Sequence, residues 1–123
     1  MFLDETALTR VSDLVAHFQT VHFAPQDVAL VLQFSAQRRR LLDIVLSQAD
    51  TDYLKALQTY QRLLTQRNHY LRSLGHRSID TTETDVWDAQ LARPGSYLRH
   101  HRLSGLVEML PDFQRYYQMF STG

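Results

Sequence analysis

Arginine is the residue type best placed to do chemistry in this chain, since Lys55 is the only lysine among 13 basic residues. A guanidinium presents a planar fork of donors that matches a carboxylate or a phosphate and tolerates partial burial better than an ammonium does. Arg38, Arg39 and Arg40 are consecutive, so on a helix they cover most of one turn. They could hold a phosphate, but the expectation is that at least one pairs with an acid and clamps neighbouring elements. Arg67 and Arg102 each fall on an apolar stripe, where an unpaired charge would cost several kcal/mol. Both are therefore expected to be paired structural arginines. By helix order, Asp43 and Asp88 are the nearest carboxylates for Arg67.

Other catalytic chemistries find no residues at the required spacing. There are no cysteines, which removes thiolate zinc sites, iron–sulfur clusters and cysteine nucleophiles. The six histidines, at positions 17, 22, 69, 76, 100 and 101, contain no i, i+4 pair, so metal binding is not expected. Asp50/Asp52 and Asp85/Asp88 stand at expected helix starts, where capping explains them better than acid–base work. No glycine opens a Gly-x-x-x-x-Gly-Lys phosphate loop, and no nucleophile elbow is present. The chain by itself is not expected to be an enzyme or to hold a cofactor.

Positioning those arginines is a task for helices, because four glycines and three prolines in 123 residues leave room for long ones. Thr9 to Phe18 has helical spacing, and Thr20-Val21-His22-Phe23 reads as one strand. Ala24 to Asp27 turns the chain, with Pro25 suited to the first turn of a short helix through Leu32. Ser35 is placed to cap a helix over Ala36 to about Ala49, with Leu41, Leu42, Val45 and Leu46 facing inward. Asp50 or Thr51 caps the next, which ends near Leu74 and Gly75. Its stripe is Tyr53, Leu57, Tyr60, Leu64, Arg67, Leu71 and Leu74, in alternating steps of four and three.

His76 to Glu83 reads as a loop, and Thr84 as the cap of the returning helix, with Asp85 and Asp88 complementing its dipole. That helix carries Trp87, Leu91, Leu98, Arg102, Leu106, Met109, Phe113, Tyr116 and Phe120. Pro94-Gly95 is expected to interrupt or kink it, and Pro111 to do so again. The two stripes are expected to match in length and pack antiparallel, their aromatic residues forming core rather than a base-stacking platform. The fold class is mostly α: an antiparallel helical hairpin or bundle arm (34–123) on a short N-terminal strand-and-turn base (1–33). No window approaches the apolar length of a membrane span, and the formal charge of zero argues against a chain that coats nucleic acid.

Two segments resemble the RecF family, the ATP-dependent DNA-binding proteins of recombinational repair. One is the Phe23-Ala24-Pro25-Gln26-Asp27 turn followed by Arg38-Arg39-Arg40-Leu41-Leu42-Asp43. The other runs from Tyr53 through Leu57 and Tyr60 to Gln66-Arg67-Asn68, and Trp87-Asp88-Ala89-Gln90-Leu91-Ala92 with Arg102 looks like the returning helix. Gln33-Phe34-Ser35 departs from the family's usual Gly-Ser-Pro at that turn. The resemblance implies a cytoplasmic, SMC-like parent involved in DNA replication, recombination, repair and the SOS response. Its ATP and Mg, with the Walker A, signature and Walker B motifs, would lie outside this stretch. It also implies contact with the rest of the ATPase head, with duplex or gapped DNA and with recombination mediator proteins. Gln26 would correspond to a Q-loop-like, nucleotide-sensing turn. Arg62, Arg72, Arg77 and Arg99, off both stripes, are the DNA-facing candidates. The residues alone also admit a free-standing interaction module that dimerises through its stripes.

Overall fold

The computed structural model describes residues 2–3, 6–7, 20, 24, 35–75 and 81–121. Among them the chain is mostly α. Helix α1 covers Ser35–Ala49, α2 covers Thr51–Ser73 and α3 covers Thr81–Ser121. Two short strands, β1 (Phe2–Leu3) and β2 (Thr6–Ala7), pair antiparallel, with Phe2 opposite Ala7 and Leu3 opposite Thr6. The expected Thr9–Phe18 helix, Thr20–Phe23 strand and Pro25–Leu32 helix lie outside the described residues, save that Thr20 and Ala24 belong to no regular element.

One residue separates α1 from α2. Asp50 is extended (φ −138°, ψ 113°), and its side chain accepts a hydrogen bond from the Asp52 amide at 2.8 Å. Its own amide donates to the Leu46 carbonyl (2.9 Å), and its carbonyl accepts from Leu54 (3.2 Å). The backbone ladder is thus nearly continuous while its direction changes. At the other end Gly75 sits at φ 58°, a left-handed conformation that glycine takes without a Cβ penalty, and α2 stops there.

Helices α2 and α3 form an antiparallel hairpin: Arg67 meets Asp88, Tyr60 meets Gly95, and Tyr53 lies near His101. Gly95 lets the helices close, since a Cβ there would stand 3.2 Å from Tyr60 Cε2. Helix α3 continues through Pro94 and Pro111, so of the expected interruption or kink the interruption is corrected. Proline removes one amide donor, costing about 3 kcal/mol in a helix interior. The turns on either side keep their bonds, and the Tyr60–Gly95 contact holds the first of these sites against α2.

The start of α3 is also corrected. It opens at Thr81, so Thr84 is a full turn inside and not the cap. Asp80, another favoured capping type, directly precedes Thr81 in sequence. Asp88 lies two turns in, beyond the reach of the terminal dipole.

The core is small and sits where the three helices meet. Tyr53 is 0% exposed and Leu98 1%, with Leu42 and Ser47 of α1 buried beside them. Gly105 closes that end, because a Cβ there would lie 2.9 Å from Leu46 Cδ2. The stripes do not match in length, however. Helix α2 has 23 residues and α3 has 41, so α3 overhangs. Leu106, Met109, Phe113, Tyr116 and Phe120 are exposed instead of core, Phe113 at 67% and Phe120 at 82%. Leu41 and Val45 of α1 are exposed for a simpler reason: the inward face of α1 centres on Leu42, Leu46 and Ser47.

Candidate functional site

The chemistry-bearing side chains gather at the three-helix junction. Asp43 lies mid-way along α1, next to buried Leu42, and so points toward the other two helices. Arg102 follows Leu98 by one turn of α3, and Tyr53 lies in the first turn of α2. The Arg102 guanidinium donates to both Asp43 oxygens, Nε to Oδ1 at 2.8 Å and Nη2 to Oδ2 at 2.9 Å. Tyr53 Oη donates to the same Oδ1 at 2.5 Å. One carboxylate therefore joins all three helices through a bidentate, charge-assisted pair and a phenol.

Burial, then the hydrogen bond to Asp43, pushes the Tyr53 phenol up from 10 to about 12. The Asp43 hydrogen bond is the main cause of the raised Arg102 pKa. For Tyr53 the folded value exceeds the unfolded one, so its protonated form is preferred in the fold. That contribution is complete below pH 10 and is lost as pH rises from about 10 through 12. Wild type should therefore lose on the order of 2 kcal/mol more than Tyr53→Phe across that window, measured by urea unfolding at each pH. Equal losses in the two proteins would contradict the arrangement.

A second cluster adjoins the first at the α1–α2 corner. The Asp50 carboxylate, already capping α2, accepts from Tyr97 Oη at 3.4 Å and lies 4.0 Å from His101 Nε2. The Tyr97 and His101 rings stack at 3.9 Å with 27° between planes. His101 Nδ1 is 3.0 Å from the Tyr97 carbonyl, which can only accept, so Nδ1 carries the proton in that bond. Burial first, and then the Asp50 charge, raise the Tyr97 pKa. The Lys55–Asp52 pair (2.8 Å) lies on the surface and contributes little to stability.

Arg67 differs from Arg102. Its Nε is 3.2 Å from Asp88 Oδ1, yet that buried atom makes no aligned hydrogen bond. The contact is an ion pair with poor geometry. Arg67 is 27% exposed and Asp88 61%, so the carboxylate side of the pair is largely in water. Asp43, its other candidate partner, is occupied by Arg102.

Arg38, Arg39 and Arg40 are all exposed at the start of α1; Arg40 borders a groove with Asp43, Ser47 and Gln48. Arg62, Arg72 and Arg99 are exposed, and Arg99 shares a groove with Arg67, Asp88 and Ser96. Arg77 and Gln26 lie outside the described residues. Thr20 donates its amide to Gln48 Oε1 at 2.8 Å, a tie between the N-terminal stretch and α1. Among the described residues no group of three His, Asp or Glu is disposed to hold a metal, and no helix is long and apolar enough to cross a membrane.

The polar roles of Tyr53, Tyr97 and His101 are not evident from stripe positions. The usable signal is that Tyr53 and Arg102, on facing stripes, fall at the same level of the hairpin.

Comparison with known proteins places this architecture. No family model matches the chain. The RecF protein of Herpetosiphon aurantiacus is 40% identical over 114 residues, covering 91% of this chain. That of Heliobacterium modesticaldum is 42% identical over 114 residues, covering 93%. The chain is RecF-family sequence. It spans about 30% of the length of these RecF relatives. A solved structure of the recombination mediator protein RecF-ATPrS in the RecFOR pathway superposes with a TM-score of 0.78 at 25% identity, covering 86% of this chain and 29% of that one. The RecF match thus extends to the helical hairpin as well as to the sequence.

Proposed function

We propose that this chain is the helical arm of a RecF-like, ATP-dependent DNA-binding protein of replication and recombinational repair. The observation that carries the reading is the three-helix junction at Asp43, Tyr53 and Arg102. It fixes the α2–α3 hairpin rigidly to α1, in a chain about 40% identical to RecF proteins over nine-tenths of its length. Residues 1–33 serve as the base against an ATPase head, and 34–123 as the arm. ATP, Mg and hydrolysis belong to the head, with Gln26 in a turn that senses nucleotide. Arg38, Arg39 and Arg40 lie at the base of the arm, near the head. Arg62, Arg72, Arg77 and Arg99 face duplex or gapped DNA. Recombination mediator proteins are partners of the whole, which works in the cytoplasm, within the SOS response, as an SMC-like machine.

An arm of this kind gains its DNA affinity from a second, tethered surface, so the isolated chain should bind duplex weakly. A few phosphate contacts give a log–log salt slope of about −0.9 per phosphate and a Kd at or weaker than about 10⁻⁴ M at physiological salt. Fluorescence anisotropy with a labelled duplex in about 150 mM salt tests this. Sub-micromolar binding would show an autonomous DNA-binding domain instead. The exposed overhang of α3 is compatible with a free-standing, dimerising module, for which sedimentation of the chain as a dimer would be the evidence.

A further inference from the structure

The apolar side of α3 does not end where its partners end. Placed at 100° per residue, Leu98, Arg102 and Gly105, which pack against α1 and α2, occupy one arc of the helix. Leu106, Met109, Leu110, Phe113, Tyr117 and Phe120 fall on the same side, the whole set spanning about 140°. Glu108, Asp112 and Arg115 lie off it. The intramolecular seam therefore continues for about 24 Å past Gly105 with its apolar side chains in solvent.

We propose that this half of α3 is a docking strip for an apolar face of another segment of the same polypeptide, one outside the part matched here. The inference rests on the RecF-like reading, because RecF relatives carry more than two-thirds of their length outside the match. Continuity favours an intramolecular occupant: the strip extends a seam whose first half is already filled from within the chain. Area disfavours a second copy. A strip about 24 Å long and roughly 12 Å wide buries on the order of 300 Å² per partner, well under the ~800 Å² of a stable protein–protein interface. A tethered segment, at high effective concentration, needs far less.

The test compares the 123-residue chain with the polypeptide encoded by the full open reading frame around it. Backbone amides of residues 106–120 should exchange at least about tenfold more slowly in the longer protein. Leu110→Glu/Phe113→Glu should leave the Tm of the short chain within about 1 °C, yet lower that of the longer protein by about 4 °C or more. If the variant fails to fold in the longer protein, the wild-type exchange comparison decides alone. Equal exchange in both proteins would overturn the proposal, as would a reading frame with no further segment or concentration-dependent dimerisation of the short chain that protects 106–120. ATP-dependent DNA binding by the longer protein separates the two claims. If it is present with an unprotected strip, docking is wrong and the RecF-like reading stands; if it is absent with a protected strip, the reverse holds.

Discussion

Asp43→Ala should destabilise the fold by about 3 kcal/mol, a large share of the stability a domain of this size has. The substitution removes the shared acceptor of Arg102 Nε, Arg102 Nη2 and Tyr53 Oη together. It strands a phenol that is 0% exposed and a guanidinium that is mostly buried. Asp43→Asn keeps the volume and one acceptor for Tyr53, but turns an amide donor toward the guanidinium, so it should recover only part of the loss. Tyr53→Phe removes the hydroxyl alone and should cost about 1 kcal/mol. Arg67→Ala is the control, because the carboxylate side of its pair with Asp88 is largely in water and the pair is poorly aligned: about 1 kcal/mol or less is expected. Urea unfolding of the four variants checks the order. A loss for Arg67→Ala as large as that for Asp43→Ala would mean that the hairpin, and not the junction, holds the fold.

Leu98→Ala should cost about 3 kcal/mol, while Phe113→Ala, on the same stripe and larger, should cost almost nothing in this chain. Leu98 is 1% exposed among three helices, so truncation removes buried surface and opens a cavity. Phe113 meets solvent, so truncation leaves no cavity. Thermal melts of the two variants separate these cases by more than experimental error. Equal effects would place the end of α3 in the core after all.

The elements with unambiguous end signals were legible in the sequence. Helix α2 lies between Asp50, whose carboxylate caps it, and Gly75, whose φ of 58° ends it; both residue types act through local backbone chemistry. Its stripe was legible for the same reason, since a 3.5-residue period in one helix needs no knowledge of the rest. Three things were not. The start of α3 was ambiguous because Asp80 and Thr84 are both capping types within one turn. The prolines suggested a break or a kink, and the break does not occur because a single missing amide donor does not end a helix held by neighbouring turns and by the Tyr60–Gly95 contact. The overhang of α3 was invisible because a periodic stripe says which face is apolar and not what covers it. At the junction, the need of Arg102 for a partner was legible from its place on a stripe. Its match to Asp43 was not, because helix order offered both Asp43 and Asp88 to Arg67, and side-chain reach gives Asp43 to Arg102 and Asp88 to Arg67.

The most direct test of the arm reading is ATP-dependent duplex binding by the intact parent polypeptide in which Arg62, Arg72, Arg77 and Arg99 are replaced together by Gln. The account predicts that Arg→Gln at these four positions weakens binding in the presence of ATP and lowers the salt slope by up to about 0.9 per lost phosphate contact. ATP binding itself should remain as in wild type, since none of the four is assigned to the head. Unchanged DNA affinity and salt slope, with the protein folded and ATP-bound, would contradict the claim that this hairpin faces DNA.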